Sequence, residues 1–483
     1  MFALFLAAFY TIKIVFLKRK NDLFINVKDF VSSFNNSFTQ LSEKYLSANF
    51  LNSIARETGF LKREKKLTAL MFLSSLVCAD LSQCKSSLLN LKGEIQEQYH
   101  CTISREGLHK RFTQEAVDFL RATLTRLLWE ASVQEMGTNI TSSKFNRITI
   151  KDSTKFRLDK SLIDQYPGYK SFNKEYSLMN IQYEFDIKSG NWLCLELTRA
   201  TRNDQLDSKE TLENIEKGDL SIRDLGYVTM DYLKGVIKAE AYFLNRLHPS
   251  MKAYHIKNGV LQPVDWKKID SLMRRNHLPH LALDVFLDKK KKIKVRMLIE
   301  AVPENIAEKR IKDATIAGKR KDGYTPTKEY KIKSHYNIFI TNAHEDIMPL
   351  AEASMFYRLR WQIELIFKTW KSLASIDKVK KIKKERFECQ LYARLIWILL
   401  NWKIYQAIDY CIKKLAPKEG CSVQKFFNMV NKQSFSLRNI LGKLRNIKRW
   451  FKEVLIPLIP DLMIERKFNK PTHKQILNEL CQC

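Results

Sequence analysis

The chain is short of the residues that interrupt regular structure, with 14 glycines and 11 prolines in 483 positions. No stretch is low in complexity and none repeats, so the composition is that of an ordinary globular protein. Nine cysteines lie scattered at Cys78, Cys84, Cys101, Cys194, Cys389, Cys411, Cys421, Cys481 and Cys483. None falls in a paired C-x-x-C set with zinc spacing, which argues against a zinc module. Their odd number and dispersal suit a reducing compartment, the cytoplasm, rather than a disulfide framework. Also missing is a signal peptide. Residues 1–17 read MFALFLAAFYTIKIVFL and run into Lys18, Arg19 and Lys20, with no basic leader and no small-residue cleavage site. Lys13 interrupts this run, which is at the short limit for crossing a bilayer. A membrane anchor, an amphipathic N-terminal helix and an upstream extension of the true start all fit. The extension is preferred for segment 1–26, because nothing downstream needs a membrane.

Negative charge is the other scarcity. Lys and Arg number 83 against 52 Asp and Glu, a formal charge of +31. That imbalance favours a polyanionic partner, most simply nucleic acid. The length gives room for roughly two to four domains and a large core.

From residue 27 to about 140 the apolar spacing is helical, over Leu61–Val77, Gln83–His100 and Arg105–Ser132. Ser104 caps the last of these, and His109, Lys110 and Arg111 follow on an early turn. The pattern suits a helix-turn-helix reading element and equally a plain bundle with a basic face. At Phe145 the period changes to two. Ile148, Ile150 and Asp152 share one face of a strand, and an aspartate closing an apolar face needs a partner or a cation. Strands follow at Met179–Ile187 and Trp192–Arg199 about a Ser189-Gly190-Asn191 turn. A helix over Asp207–Glu216 leads to a short strand in which Leu220, Ile222 and Asp224 again share a face. Met230–Lys238 reads as a helix and Ala241–Leu247 as a strand ending near Arg246. Between residues 248 and 335, Ala282–Leu287 and Ile293–Ile299 read as strands about a lysine turn. Tyr336–Asn342 gives a further strand.

Phe356–Lys371, FYRLRWQIELIFKTWK, reads as one helix without Gly or Pro. Tyr357, Arg360, Glu364 and Lys371 fall within roughly 60° of one another at 3.6 residues per turn. Ile363, Leu365, Ile366, Phe367 and Trp370 occupy much of the rest, as on a helix inside a domain. Arg360 and Glu364 are spaced to pair on any helix. The same row equally suits a carboxylate metal ligand flanked by phosphate-binding groups.

The pattern Y-x-x-R-x-x-x-E-x-x-x-x-x-x-K resembles the signature helix of the IS4-type DDE transposases, matching it four for four. The neighbourhoods D-S-T at Asp152 and R-D-L-G-Y at Asp224 resemble that family's two catalytic Asp motifs. The resemblance runs from Asn146 to Trp402. It implies an α/β fold: an RNase H-like catalytic core (145–247 and 336–410) interrupted by a β-rich insertion (248–335). A helical DNA-binding region (27–140) precedes the core, and a helical C-terminus (411–483) follows it as a DNA contact or dimer face. Asp152, Asp224 and Glu364 are then the catalytic, metal-binding acids. Tyr357, Arg360 and Lys371 grip the terminal nucleotides of the transposon end, with Arg246 as a weaker candidate. Tyr336 is the nearest aromatic to a base-capturing position found in some relatives.

Three such carboxylates make a hard oxygen site suited to two Mg²⁺ ions, with Mn²⁺ as a substitute. Beyond the signature, six of the nine residues 378–386 are basic, including Lys378, Lys380 and Lys381. The run suits a solvated helix face or a DNA-backbone track. Leu391–Trp402 is an apolar core helix, and Lys443–Lys452 a second basic amphipathic one. The implied reaction is cut-and-paste DNA transposition by a nucleoid-associated enzyme. Its partners are terminal inverted repeats and target DNA, met as a homodimer, with no small-molecule cofactor. A transposase-derived DNA-binding protein without cleavage is the alternative. A metal-dependent nuclease and a membrane protein are weaker ones.

Overall fold

A computed structural model describes residues 46–63, 66–77, 87–133, 144–169, 175–249, 251–290, 293–321, 323, 325–372, 374–379, 381–415, 420–432 and 458–463. Residues 1–17, Lys380 and the expected helix over Lys443–Lys452 lie outside them. Among the described residues no helix is long and apolar enough to cross a membrane. The fold is mixed α/β, with helices toward both ends of the chain. It divides into two compact units. One takes the described residues up to 133, 156–177 and from 366 on, and the other takes 144–155 and 178–365.

The first unit is helical. Ala48–Glu57, Ala69–Val77, Leu88–Tyr99, Arg105–His109 and Gln114–Val133 precede the 32-residue helix Lys384–Leu415 and then Val423–Lys432. Ser47, Ser87 and Ser104 each cap a helix by accepting the N–H three residues on, satisfying one orphan donor of the first turn. The long helix packs against Gln114–Val133 and Ala69–Val77. It is buried on every side from Leu391 to Ile404, a mostly apolar run that also takes Arg394, Asn401 and Lys403 inside. The expected helix over Arg105–Ser132 breaks at Lys110–Thr113. There Phe112 turns fully inward against Phe72, with ring centroids 5.4 Å apart. The Lys383 ammonium takes up the carbonyl of Phe112 that the break frees.

The second unit is built on one ten-stranded mixed sheet. Its strands are β1 (Ile148–Arg157), β2 (Leu178–Asp186), β3 (Trp192–Arg199), β4 (Leu220–Arg223), β5 (Tyr242–Arg246), β6 (Ala253–Lys257), β7 (Val260–Pro263), β8 (His280–Leu287), β9 (Ile293–Ala301) and β10 (Tyr336–Thr341). Their order is β3-β2-β1-β4-β5-β10-β9-β8-β6-β7. β1, β4 and β5 run parallel, with Ile148 opposite Leu220 and Leu220 opposite Tyr242. β10 is antiparallel to both β5 and β9. The β2–β3 hairpin turns where the sequence predicts, with Gly190 in the left-handed region at φ +70°.

The residues between β5 and β10 were expected to be strand-rich. They hold β6–β9, which extend the sheet, but also the helices Trp266–Arg275, Glu304–Lys321 and Lys328–Ser334. Trp266, Ile269 and Met273 bury one face of the first of these against a core shared with Phe243, Met297 and Ile340. The helix expected over Asp207–Glu216 begins earlier, at Asp204, and ends at Glu210. Asn203 caps it by accepting the N–H of Leu206.

Candidate active site

Asp152 lies within β1, and Asp224 follows the last residue of the adjacent parallel strand β4. Register brings Lys151 opposite Arg223, so Asp152 and Asp224, each one residue on, lie at the same level of the sheet. Glu364 arrives from far along the chain, on the helix Trp361–Ser372.

That helix is not continuous with Phe356. The sequence predicts one helix through Lys371, whereas the structure has Ala353–Arg358, a turn at Leu359–Arg360, and then Trp361–Ser372. Across the turn the bonds close three residues back: Leu359 to Phe356, Arg360 to Tyr357, Gln362 to Leu359 and Ile363 to Arg360. This 3₁₀-like tightening turns Leu359 wholly inward. Arg360 therefore sits at the junction, not within a straight polar row. Leu365, expected among the buried residues, is 42% exposed, and Trp361 is 57% exposed one turn before it.

From the junction the Arg360 guanidinium reaches all three acids. Its Nη2 donates to Glu364 Oε1 at 2.6 Å and its Nη1 to Asp152 Oδ2 at 3.4 Å, while Nε lies 3.8 Å from Asp224 Oδ1. Asp152 is mostly buried, and that burial, helped by the negative charges of Asp224 and Glu364, pushes its carboxyl up to about 7. The Ser153 N–H and Arg360 pull the other way without prevailing. Burial works against the charge on Arg360, but the carboxylates of Asp224 and Glu364 outweigh it and hold the guanidinium above its ordinary range.

Tyr357 and Arg246 join the cluster. The Tyr357 ring packs on Phe339 at 5.2 Å, with Arg246 at 5.8 Å and Arg360 at 5.9 Å from its centre. Arg246 also donates to Asn337 at 3.0 Å. Tyr336 is not brought to the acids: its ring is 5% exposed and its hydroxyl donates to Asp270 at 2.7 Å. Lys371, Lys378 and Lys381 belong to the helical unit. Lys371 is half-buried, which lowers the affinity of its amine for a proton, and Lys378 and Lys381 are exposed.

Sequence reasoning missed residues at this site. The Ser153 hydroxyl donates to Asp204 at 3.1 Å, Gln182 donates to the same oxygen at 3.2 Å, and Tyr227 donates to Gln182 at 2.6 Å. These bonds link β1 beside Asp152 to β2 and to the helix Asp204–Glu210. Ser153, within D-S-T, and Tyr227, the tyrosine of R-D-L-G-Y, carry a sequence signal, whereas Gln182 and Asp204 carry none. Trp361 is another omission: it follows Arg360 directly, lies off the row of spaced polar residues, and is 57% exposed.

Residues 143–400 match the family described as Transposase DDE domain. The chain is 32% identical over 372 residues to the transposase for insertion sequence element IS231B of Bacillus thuringiensis subsp. berliner, covering 74% of this chain and 77% of that one. It is 31% identical over 429 residues to the IS231F transposase of Bacillus thuringiensis subsp. israelensis, covering 85% and 88%. To the IS1151 transposase of Clostridium perfringens it is 28% identical, covering 83% and 90%. The chain belongs to the IS4-type DDE transposases. The transposase is accordingly an enzyme that cleaves DNA and transfers strands, and its family implies dependence on a divalent metal.

The donor chemistry around Arg360 fits such an ion. Three hard carboxylates meet one positive charge, and burial beside Asp224 and Glu364 pushes the Asp152 carboxyl up to about 7 despite the Ser153 N–H and Arg360. Among the described residues no three acids are spaced as a ready-made cage. The carboxylates are arranged about the guanidinium instead.

Proposed function

We propose that the transposase moves an insertion sequence by cut-and-paste: phosphodiester hydrolysis at the element's ends, then attack of the freed 3′-hydroxyl on target DNA. The observation that carries this reading is the convergence of Asp152, Asp224 and Glu364 on one guanidinium. Asp152, Asp224 and Glu364 would hold two Mg²⁺ ions, or Mn²⁺ in their place. Bound there, the metal supplies charge stabilisation to the attacking and leaving oxygens of an in-line displacement. Arg360, released from the acids, offers its planar fork to a phosphate of the transposon end. Tyr357, held between Arg246 and Arg360, adds a neutral hydrogen bond. Arg246, Lys371, Lys378, Lys380 and Lys381 neutralise backbone phosphates. Tyr336 belongs with this DNA-contacting set only as a candidate, since Asp270 engages its hydroxyl.

The core reads as RNase H-like, over 145–247 and 336–410. The strand order β3-β2-β1-β4-β5, with β1, β4 and β5 parallel, supports this. Residues 248–335 are then an insertion that widens the same sheet. Residues 27–140 read as the DNA-recognition region and 411–483 as a DNA contact or dimer face. The working form is a homodimer on the terminal inverted repeats.

The test is cleavage of a DNA fragment carrying the element's own ends, with Mg²⁺, by wild type and Glu364→Gln side by side. Cleavage by wild type, lost in the variant while end binding persists, is expected. Binding by both with cleavage by neither, under Mn²⁺ as well, favours a DNA-binding protein without cleavage. Equal cleavage by both makes Glu364 a structural partner of Arg360 only.

A further inference from the structure

The face of the sheet opposite the acids is buried yet polar. Side chains alternate along a strand, so Thr149 and Lys151 of β1, Gln182 and Glu184 of β2, and Ser221 and Arg223 of β4 share it. Lys151 and Arg223 have no exposed surface at all. Such burial is costly for a charge unless it is paired. Lys151 Nζ lies 2.7 Å from Asp207 Oδ2 and 3.8 Å from Glu184 Oε2, and donates to Thr211 Oγ1 at 2.7 Å. Arg223 Nη2 lies 3.4 Å from Glu184 Oε1, and Nη1 donates to Ser208 Oγ at 3.1 Å. The Arg223 guanidinium also stacks over the Tyr232 ring at 4.6 Å. Its carbonyl accepts from Asn245 of β5 at 3.0 Å. Two buried cations thus face two buried carboxylates, with Glu184 shared between them. Arg202, partly exposed, closes the rim at 3.1 Å from Asp207.

Position gives this layer its meaning. Lys151 immediately precedes Asp152, Arg223 immediately precedes Asp224, and the two cations are register partners. Period two keeps Ile148 and Ile150 on the same side through a two-residue slip, so alternation alone does not choose between registers two residues apart. A slip would also carry Lys151 away from Asp207 and Glu184 and leave a buried charge unpaired. We infer that Lys151, Arg223, Glu184 and Asp207 are positioning residues: an ionic brace that locks β1 against β4 and so fixes the separation of Asp152 and Asp224. The inference rests on the reading of those two aspartates as the reacting acids. Buried ion pairs are commonly replaceable by apolar side chains without loss of stability. A brace that serves position is therefore separable from folding.

The test uses the full chain and two charge-neutral replacements, Lys151→Met with Asp207→Leu, and Glu184→Met with Arg223→Met. Thermal midpoint, end-DNA affinity, single-turnover end cleavage at saturating DNA, and Mn²⁺ binding by electron paramagnetic resonance are measured for each. Asp152→Asn and Glu364→Gln serve as references. Folding and end binding close to wild type are expected, with Mn²⁺ affinity and cleavage each reduced about 10- to 100-fold, the scale of outer-shell changes at metal sites. Lys151→Arg, which keeps the charge, should recover part of both. Wild-type cleavage and Mn²⁺ binding in the paired variants, with the references dead, overturn the brace. Unfolding of both pairs also overturns it, because the layer would then be a folding element. Active references instead sink the assignment of the acids.

Discussion

Arg360 holds Glu364 at 2.6 Å and, through another nitrogen, Asp152 at 3.4 Å. One guanidinium thus answers a carboxylate four residues on and another more than two hundred residues back. A simple helical ion pair would have left Asp152 out. Its place among the acids puts Arg360 in competition with any cation they bind. Replacing it with Gln should tighten Mn²⁺ binding in the absence of DNA by about tenfold, on the scale by which neighbours tune a metal site. The same variant should bind end DNA more weakly, with the slope of log affinity against log salt reduced by about 1. Calorimetric titration with Mn²⁺ and a salt series of end binding check the two halves. A fall in both affinities would make Arg360 part of the acids' own scaffold.

The raised carboxyl of Asp152 sets a pH dependence. Unfolded, an aspartate ionises near its ordinary value of 3.8, while in the folded, metal-free protein Asp152 holds its proton to about 7. Between those values the native state binds the extra proton, so its contribution to stability is full below the lower value. It is lost as pH rises through the upper one. The metal-free thermal midpoint should therefore fall from pH 4 toward pH 7 by an amount that Asp152→Asn removes. Below pH 7, Mg²⁺ binding should release a proton, seen as a buffer-dependent heat. A midpoint whose pH profile is the same in wild type and Asp152→Asn would sink this account.

Much of the site was legible because it rests on strand alternation and a spaced motif. Ile148, Ile150 and Asp152 share a face by simple period two, and Leu220, Ile222 and Asp224 repeat the device. The break at Leu359–Arg360 was not legible. No Gly or Pro marks it, and it arises where Leu359 turns inward while Arg360 reaches strands far away in sequence. Lys151 and Arg223 escaped for a similar reason: their partners Glu184, on β2, and Asp207, on the Asp204–Glu210 helix, are distant in sequence and meet them only in the fold. The Trp266, Ile269, Met273 spacing is a helix signal that a strand-rich reading of the stretch passed over. In the long helix Glu304–Lys321 charge dominates, and its apolar period is too weak to read.

Trp361 presents an indole, 57% exposed, immediately after Arg360. An exposed tryptophan beside the residues proposed to grip DNA offers a flat surface to an unstacked base. Such stacking is worth about 1–3 kcal/mol per base. Trp361→Ala should leave the thermal midpoint unchanged and weaken binding of end DNA whose terminal pairs are opened by mismatches. Trp361→Phe should recover most of the loss. Equal affinity of wild type and Trp361→Ala for both mismatched and paired ends would leave the indole without a role in DNA binding.

Tyr336 invites the opposite expectation. Its ring is buried and its hydroxyl donates to Asp270, which Arg274 also binds at 2.8 Å. Burial and the Asp270 carboxylate push the phenol up to about 12, so it stays protonated as a donor. Tyr336→Phe removes that bond from a partly buried carboxylate. The cost should be about 1.5–3 kcal/mol, the range for hydrogen bonds to charged groups, reduced by the solvent and Arg274 that Asp270 keeps. End binding and cleavage by the folded variant should match wild type. Chemical denaturation beside an end-cleavage assay separates the cases. A variant of unchanged stability that binds ends poorly would return Tyr336 to the DNA-contacting set, and would require the Lys328–Tyr336 segment to move when DNA arrives.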